Sequence, residues 1–263
     1  MEYSSDFITD INKSPIFDSH SHYDDSRFDG IRDELFCSMH KNGVSGIVTC
    51  GCDAQSSQKA LDMAQKYDFV YAAVGIHPEN LDSGTTVAQI KELADNKKCV
   101  AIGEIGLDYY WSADKKQQQI EVFKEQIKLS KELNLPIIVH DRDAHCDTLN
   151  ILKEYKPKGV VHCFSGSVEM AQELLKLGMY IGVGGVITFK NAKKLPDVVK
   201  IIPDEFLLVE TDCPYLAPEP HRGKLCHSGM IKLTAKKIAE IRNTTPENIL
   251  LQTSQNAKKL FNL

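Results

Sequence analysis

The chain has 263 residues, 42% hydrophobic and 25% charged, with a net charge of −5. That is ordinary globular composition, and the acidic total excludes a general basic field that coats duplexes, though not nucleic acid as a substrate where bound metal ions supply local positive charge. The polar start MEYSSDFITDINKS has no secretory h-region, the longest nearly apolar stretch MYIGVGGVITF is too short and Gly-rich to span a bilayer, and the eight cysteines contain no CxxC pair, so a reduced, cytoplasmic chain is expected.

Residues 1–14 read as a loosely ordered extension. The run SPIFDSHSH (14–22) is a first strand ending in His20 and His22. Residues i and i+2 of a strand point the same way, with Cα atoms roughly 6.5–7 Å apart, so two imidazoles there can converge on one metal ion. VSGIVTCGC (44–52) is a second strand, followed by a helix for which Asp53 is the N-cap. FVYAAVGIHP (69–78) is the third and ends at His77; CVAIGEIGLDYY (99–110) is the fourth, with Glu104 at its end. The next segment has helical periodicity, with Ile120, Phe123, Ile127 and Leu133 inward and the lysines and glutamines of 115–128 as a solvated face. LPIIVHDR (135–142) ends at His140 with Arg142 two residues on, and KGVVHCFSG (158–166) carries His162. A helix runs from the N-cap Ser167 to Gly178 as its C′ residue. MYIGVGGVITF (179–189) is the seventh strand; its glycines 182–185 lack a Rossmann context and read as easing strand packing. FLLVETDCPYL (206–216) is the eighth and carries Asp212, and a last helix starts at Thr245-Pro246. Cys50, Cys52, Cys99 and Cys163 fall in these apolar runs, where free cysteine acts as a small hydrophobe.

Apolar strands alternating with helices predict a parallel sheet buried on both faces. Eight such units in this length favour a single-domain α/β fold, a (β/α)8 TIM barrel over residues 1–263, above an open doubly wound sheet. Catalytic residues of such barrels gather at the C-terminal ends of the strands, where His20, His22, Glu104, His140, His162 and Asp212 all fall. Each alone has a plain explanation, such as a core-edge histidine or a turn-forming aspartate. Together they mark a metal centre. Mixed imidazole and carboxylate donors suit zinc first, with manganese and, less well, magnesium as alternatives. Six donors exceed the three or four protein ligands of one catalytic zinc, so two divalent ions are expected, with Glu104 as their bridge. Such a site points to hydrolysis, with Asp212 as general base. His77 is a candidate cleft residue. Arg142 and Arg222 are candidates to reach a phosphate or to cap a carboxylate. Asp18 and Glu210 share strand parity with His20 and Asp212 and are expected one layer deeper, hydrogen-bonding ligand histidines or simply structural.

The motifs DSHSH, VGIHPE, AIGEIGLDYY, LPIIVHDRDA, GVVHCFSGS, VGGVITFK and LLVETDCPYLAP…HRGK resemble, in order and spacing, the TatD family of metal-dependent deoxyribonucleases, from about residue 16 to the C-terminus. The resemblance implies an amidohydrolase-type TIM barrel that hydrolyses phosphodiesters in DNA, often as a 3′–5′ exonuclease; the sequence itself gives no sign of a membrane or of an obligate protein partner. It also implies one metal on His20, His22, Glu104 and Asp212, and a second on Glu104, His140 and His162. After HRGK the family usually continues with an Asn-Glu-Pro-like turn, whereas this chain reads Leu225-Cys226-His227-Ser228, which bears on substrate choice and not on the metal ligands. That stretch reads as a solvated loop in preference to a Cys/His site. The alternative keeps fold and metals but cleaves esters, lactones or amides, including aminoacyl esters on tRNA, because fold does not fix function. A non-catalytic binding barrel is disfavoured because all six ligand positions are filled.

Overall fold

The computed structural model describes residues 14–263, so all but Ser14 of the expected N-terminal extension lies outside the described residues. Eight strands are present: β1 (Ile16–Ser21), β2 (Val44–Cys50), β3 (Val70–Val74), β4 (Cys99–Asp108), β5 (Ile137–Arg142), β6 (Gly159–Val161), β7 (Tyr180–Val183) and β8 (Leu207–Val209). Each pairs in parallel with the next in chain order. The seam between β1 and β8 is closed by a Ser21–Cys213 bridge, by Asp212 N–H to the His20 carbonyl at 3.1 Å and by His22 N–H to the Cys213 carbonyl at 2.7 Å. This is the (β/α)8 barrel expected from the alternation. The covering helices are α1 (Arg32–Lys41), α2 (Ala54–Lys66), α3 (Val87–Ala94), α4 (Lys116–Glu132), α5 (His145–Tyr155), α6 (Val168–Lys176), α7 (Leu195–Ile201), α8 (Ile231–Arg242) and α9 (Pro246–Phe261). None of them is long and apolar enough to cross a membrane.

The apolar residues divide into two clusters because strand side chains alternate between faces. One lies between sheet and helices; the other fills the barrel with residues such as Phe17, Val48, Ile138 and Leu208. Leu260 and Phe261 of α9 join that inner cluster, where Phe17 stacks on Tyr71 and Phe261 at centroid distances of 6.3 and 6.2 Å. Helix α9 therefore floors the barrel at the end opposite the mouth. The expected caps are in place: Asp53 accepts from Ser56 N–H in a capping box, Ser167 from Met170 N–H and Thr245 from Asn248 N–H.

Two irregularities aim the mouth. Register shifts fall between Asp18 and Ser21 on β1 and between Ile102 and Ile105 on β4, bracketing His20 and Glu104. A bulge breaks the two-residue alternation and re-aims the side chain within it. Glu104 consequently lies in mid-strand, not at the end of β4, which runs four residues further to Asp108. Gly106 has φ 149°, and a Cβ there would sit 2.0 Å from the His140 carbonyl oxygen, so only glycine lets β4 and β5 close next to the site. Gly182 fulfils the packing expectation, since a Cβ there would meet Glu210 Oε2 at 2.4 Å.

Two sequence expectations are corrected. The glutamines of α4 are not all solvated: Gln119 and Gln126 are buried. Gln126 accepts from Ile76 N–H at 2.8 Å and donates to the Ile76 carbonyl at 3.0 Å. Gln119 does the same for Asp108, at 2.8 and 2.9 Å. Each primary amide mimics a strand partner for a loop backbone that leaves the sheet. The Leu225–Ser228 stretch is likewise not a solvated loop. Cys226 and Ser228 are buried, and Ser228 N–H donates to Tyr23 Oη at 2.9 Å while its hydroxyl donates to Asp18 at 2.7 Å.

Gln126→Leu should therefore lower unfolding free energy by about 1–3 kcal/mol, the cost of orphaning buried backbone groups. Gln118→Leu, on the exposed face of α4, should stay within about 0.5 kcal/mol of the parent. Denaturant titration of the two variants makes the comparison.

Candidate metal centre

All six expected ligands meet inside the mouth. His20 Nε2 and His22 Nε2 are 3.0 Å apart, and both face Glu104 Oε2 (3.4 and 3.2 Å) and Asp212 Oδ1 (3.4 and 3.5 Å). Four donors around one zinc-like ion with bonds of about 2.0–2.1 Å would stand about 3.3–3.4 Å apart, so this spacing could hold a tetrahedral cation. The other oxygen, Glu104 Oε1, faces a second pair: His162 Nε2 at 2.7 Å and His140 Nδ1 at 2.8 Å, themselves 3.4 Å apart. One carboxylate thus serves two donor groups, one with each oxygen.

Neighbouring groups set which nitrogen is bare. His22 Nδ1 lies 3.0 Å from the Cys50 carbonyl, which can only accept, so the proton is on Nδ1 and the Nε2 lone pair points at the carboxylates. His140 Nε2–H donates to Asp108 Oδ2 at 3.0 Å, leaving Nδ1 bare toward Glu104. Lone pairs facing carboxylate oxygens at such distances repel unless positive charge lies between them. That charge is a proton or a metal ion, and the second-neighbour pattern of carboxylate or carbonyl behind imidazole is the one metal-ligating histidines use.

His77 is different. Its Nδ1 accepts from Glu79 N–H at 3.2 Å, so its proton sits on Nε2, 3.4 Å from Glu104 Oε1. Although His77, Glu104 and His140 are close enough to share an ion, a protonated nitrogen cannot ligate one. His77 enters the centre as a hydrogen-bond donor, consistent with a cleft residue.

The electrostatics show carboxylates held ionised by positive charge on the neighbouring imidazoles, His20 and His22 both being raised well above their ordinary range despite burial. Burial alone would raise Glu104, but the imidazoles of His162, His77 and His20 outweigh it and hold the carboxyl well below its ordinary range. Asp212 is likewise lowered, burial being overcome by hydrogen bonding to His20 and His22. His140 is raised to about 9, Asp108 and Glu104 prevailing over burial, whereas burial and the charge on His20 push His162 down to about 4.

Of the deeper carboxylates, Glu210 faces His162 Nδ1 at 3.7 Å as parity suggested, and it accepts from Cys163 N–H. Burial raises its pKa to about 8. Asp18 does not reach a histidine ring. Its carboxylate accepts from Thr211 N–H (3.0 Å), the Thr211 hydroxyl (2.6 Å), Ser228 and His20 N–H (3.3 Å), because the register shift after it ends the shared parity. Among the described residues, Arg142 and Arg222 cap no carboxylate. Both are exposed and lie over aromatic rings, Arg142 on Tyr110 at 4.3 Å and Arg222 on Phe189 at 4.5 Å. Cys52 and Cys163 are only half-buried, unlike Cys50 and Cys99. Asp108 was not singled out from the sequence, although it shares a strand and parity with Glu104.

Residues 17–262 match the family model for TatD-related DNases. The chain is 46% identical over 253 residues to YabD of Bacillus subtilis, an uncharacterized metal-dependent hydrolase, covering 94% of this chain and 99% of that protein. It is 32% identical over 259 residues to the 3′-5′ ssDNA/RNA exonuclease TatD of Erwinia tasmaniensis, covering 94% and 100%. Among solved structures, YjjV, a TatD homologue from Escherichia coli K12, superposes with a TM-score of 0.88 at 32% identity, covering 94% of this chain and 98% of that one. The chain belongs to the TatD family and is a metal-dependent hydrolase.

Proposed function

We propose that the protein hydrolyses phosphodiester bonds in DNA, removing nucleotides from a 3′ end, with two divalent ions at the mouth of the barrel. The observation that carries this reading is Glu104, whose two oxygens each face a separate pair of imidazoles. His20, His22, Glu104 and Asp212 would hold one ion, and Glu104, His140 and His162 the other. The nitrogen-rich donor set fits zinc best, with manganese or magnesium as alternatives. Two ions held there would supply Lewis acidity toward the attacking water and the phosphate oxygens.

The chain's own groups then divide the work. Asp212, ionised and with 19% of its side chain open to the mouth, takes the proton from the attacking water. His77 Nε2–H is a donor for a phosphate oxygen. Arg142 and Arg222, which have no ion pair among the described residues, are available to phosphates flanking the scissile one. Uncommitted cations at the rim favour a phosphodiester over a small neutral ester or lactone. The Erwinia relative, a 3′-5′ ssDNA/RNA exonuclease by name, points the same way.

The direct test is incubation of pure protein with end-labelled single- and double-stranded DNA, with and without chelator. Loss of mononucleotides from the 3′ end that stops with chelator is expected; no cleavage under any added divalent metal ends this reading. Protein purified without chelator should contain more than one equivalent of transition metal. The His20→Ala, His22→Ala double variant should lose it, while His145→Ala, whose ring instead pairs with Asp141 at 2.8 Å, and His77→Ala should keep it. Equal loss in all three would contradict the ligand set.

Asp212→Asn keeps the shape and one acceptor oxygen but cannot take a proton at neutral pH. With metal saturating, its turnover should fall about 10²–10⁴-fold, the usual worth of a general base. Turnover on a 3′-labelled strand, read beside the metal content of the same sample, decides the point, and full activity in a metal-replete variant would remove Asp212 from this role.

A further inference from the structure

Only five large hydrophobic side chains are exposed among the described residues, and three of them are aromatics on loops at the mouth: Tyr110 (55%), Trp111 (61%) and Tyr215 (49%). An arginine lies on each ring. The Arg142 guanidinium is 4.3 Å from the Tyr110 centroid and 5.6 Å from that of Trp111, and Arg27 is 4.2 Å from Tyr215. Isolated exposed hydrophobics need no explanation, but aromatics concentrated beside a candidate active site do.

The first group is fastened to the metal centre by a single side chain. Asp108 Oδ1 accepts from Tyr110 N–H (2.9 Å) and Trp111 N–H (2.8 Å), while Oδ2 accepts from His140 Nε2–H (3.0 Å). Gln119 braces the same loop through Asp108 and the Ser112 carbonyl at 2.8 Å. Arg142 follows His140 by two residues on β5. The second group is fastened on the other side: Tyr215 N–H donates to the Asp212 carbonyl at 3.0 Å, and Asp25 holds the Arg27 guanidinium at 2.8–2.9 Å. The β4–β5 rim and the β8–β1 seam are four strands apart in a barrel of eight, so the two groups stand across the opening from each other with the donor cluster between them.

We infer that Tyr110, Trp111 and Arg142, with Tyr215 and Arg27 opposite, form base-stacking platforms that grip an unpaired nucleotide strand on both sides of the scissile phosphate. This rests on the nuclease reading above and assigns the residues that select the strand. Aromatic faces take any base, and Arg142, with no ion pair among the described residues, takes a phosphate beside them, which is how single strands are bound without reading sequence, while Arg27, paired with Asp25, backs the Tyr215 ring. A base inside a duplex has both faces covered by its stacked neighbours, so a strand must be unpaired and unstacked there to reach the platform. Because Asp108 holds both the aromatic loop and His140, the Tyr110–Trp111 platform keeps a fixed place relative to the donor cluster.

Trp111 is the sole tryptophan of the chain, so its emission reports this platform alone. The test titrates the intact metal-loaded protein with phosphorothioate-linked oligothymidylate, which resists cleavage, and with an abasic strand of the same length and linkage. Cleavage of ordinary single-stranded DNA is measured in parallel. Saturable quenching by oligothymidylate and little by the abasic strand is expected. Tyr110→Ala should weaken binding about 5- to 150-fold, the range that loss of a stacking aromatic gives, and Tyr110→Phe should restore it. If DNA is cleaved but neither strand, or both equally, quenches Trp111, the platform is overturned and the nuclease reading stands. If oligothymidylate alone quenches but no DNA is cleaved, the platform stands and the nuclease reading falls. If neither binding nor cleavage occurs, both fall. Trp111 emission that depends on protein concentration alone would mean that a second copy covers this face, and would also overturn the site.

Discussion

A carboxylate almost wholly removed from water must be answered by positive charge, and at the mouth of this barrel that carboxylate is Glu104. It is 2% exposed, and four imidazoles with a fifth from His77 are turned toward its two oxygens. Burying an unpaired carboxylate costs several kcal/mol, so the surrounding groups cannot be arranged freely. His22 and His140 have their bare nitrogens inward because a carbonyl and a carboxylate occupy their other sides. Two register shifts bring His20 and Glu104 to the same point. Most of the local architecture of β1, β4, β5 and β6 can be read as what is required to keep one buried acid ionised until a cation arrives.

The sequence was legible where its periodicity reported burial. Eight apolar runs separated by helical segments correspond to eight strands, and Asp53, Ser167 and Thr245 cap the helices that their positions announce. The donor cluster was legible because strand ends converge in a barrel, so polar residues far apart in the chain could be assigned to one place. What failed depended on tertiary contacts. Parity left Asp18 either a partner of the histidines or simply structural; the structural role holds, and the bulge that turns it from the rings is invisible to a two-residue count. Gln119 and Gln126 look like solvated surface because a buried amide bonding loop backbone has the same composition as an exposed one. The Leu225–Ser228 stretch reads as loop, and only the fold reveals that Tyr23 and Asp18 have drawn it inside.

Rigid and variable parts of the site are separated by element. The candidate metal donors stand on or just beyond strands, where neighbouring strands and caps restrict them, while the groups suited to meeting substrate stand on loops apart from Arg142, which ends β5. Asp108 is the exception that joins them, one oxygen serving a donor histidine and the other the backbone of an exposed aromatic loop. A change of substrate within this architecture can be made by altering loops after β4, β7 and β8 without disturbing the donors, which is the general division of labour in barrels of this type.

The seam has a consequence for the order in which the molecule comes into being. The first strand to be synthesised pairs with the last: Ser19 bonds the Val209 carbonyl across 190 residues, and Asp212 completes a cluster begun by His20 and His22. At roughly 5–20 residues per second of translation, about 10–40 s separate the two ends of that contact. During this interval β1 is an unpaired edge carrying a buried-type run, Ile16 and Phe17 among it, with no floor beneath, because α9 is made later still. A nascent chain therefore holds every histidine of the centre before it holds a site. A cation met before then encounters only part of the donor set, the His20–His22 pair of β1 among it, and the full set including Asp212 comes into existence only with closure of the ring.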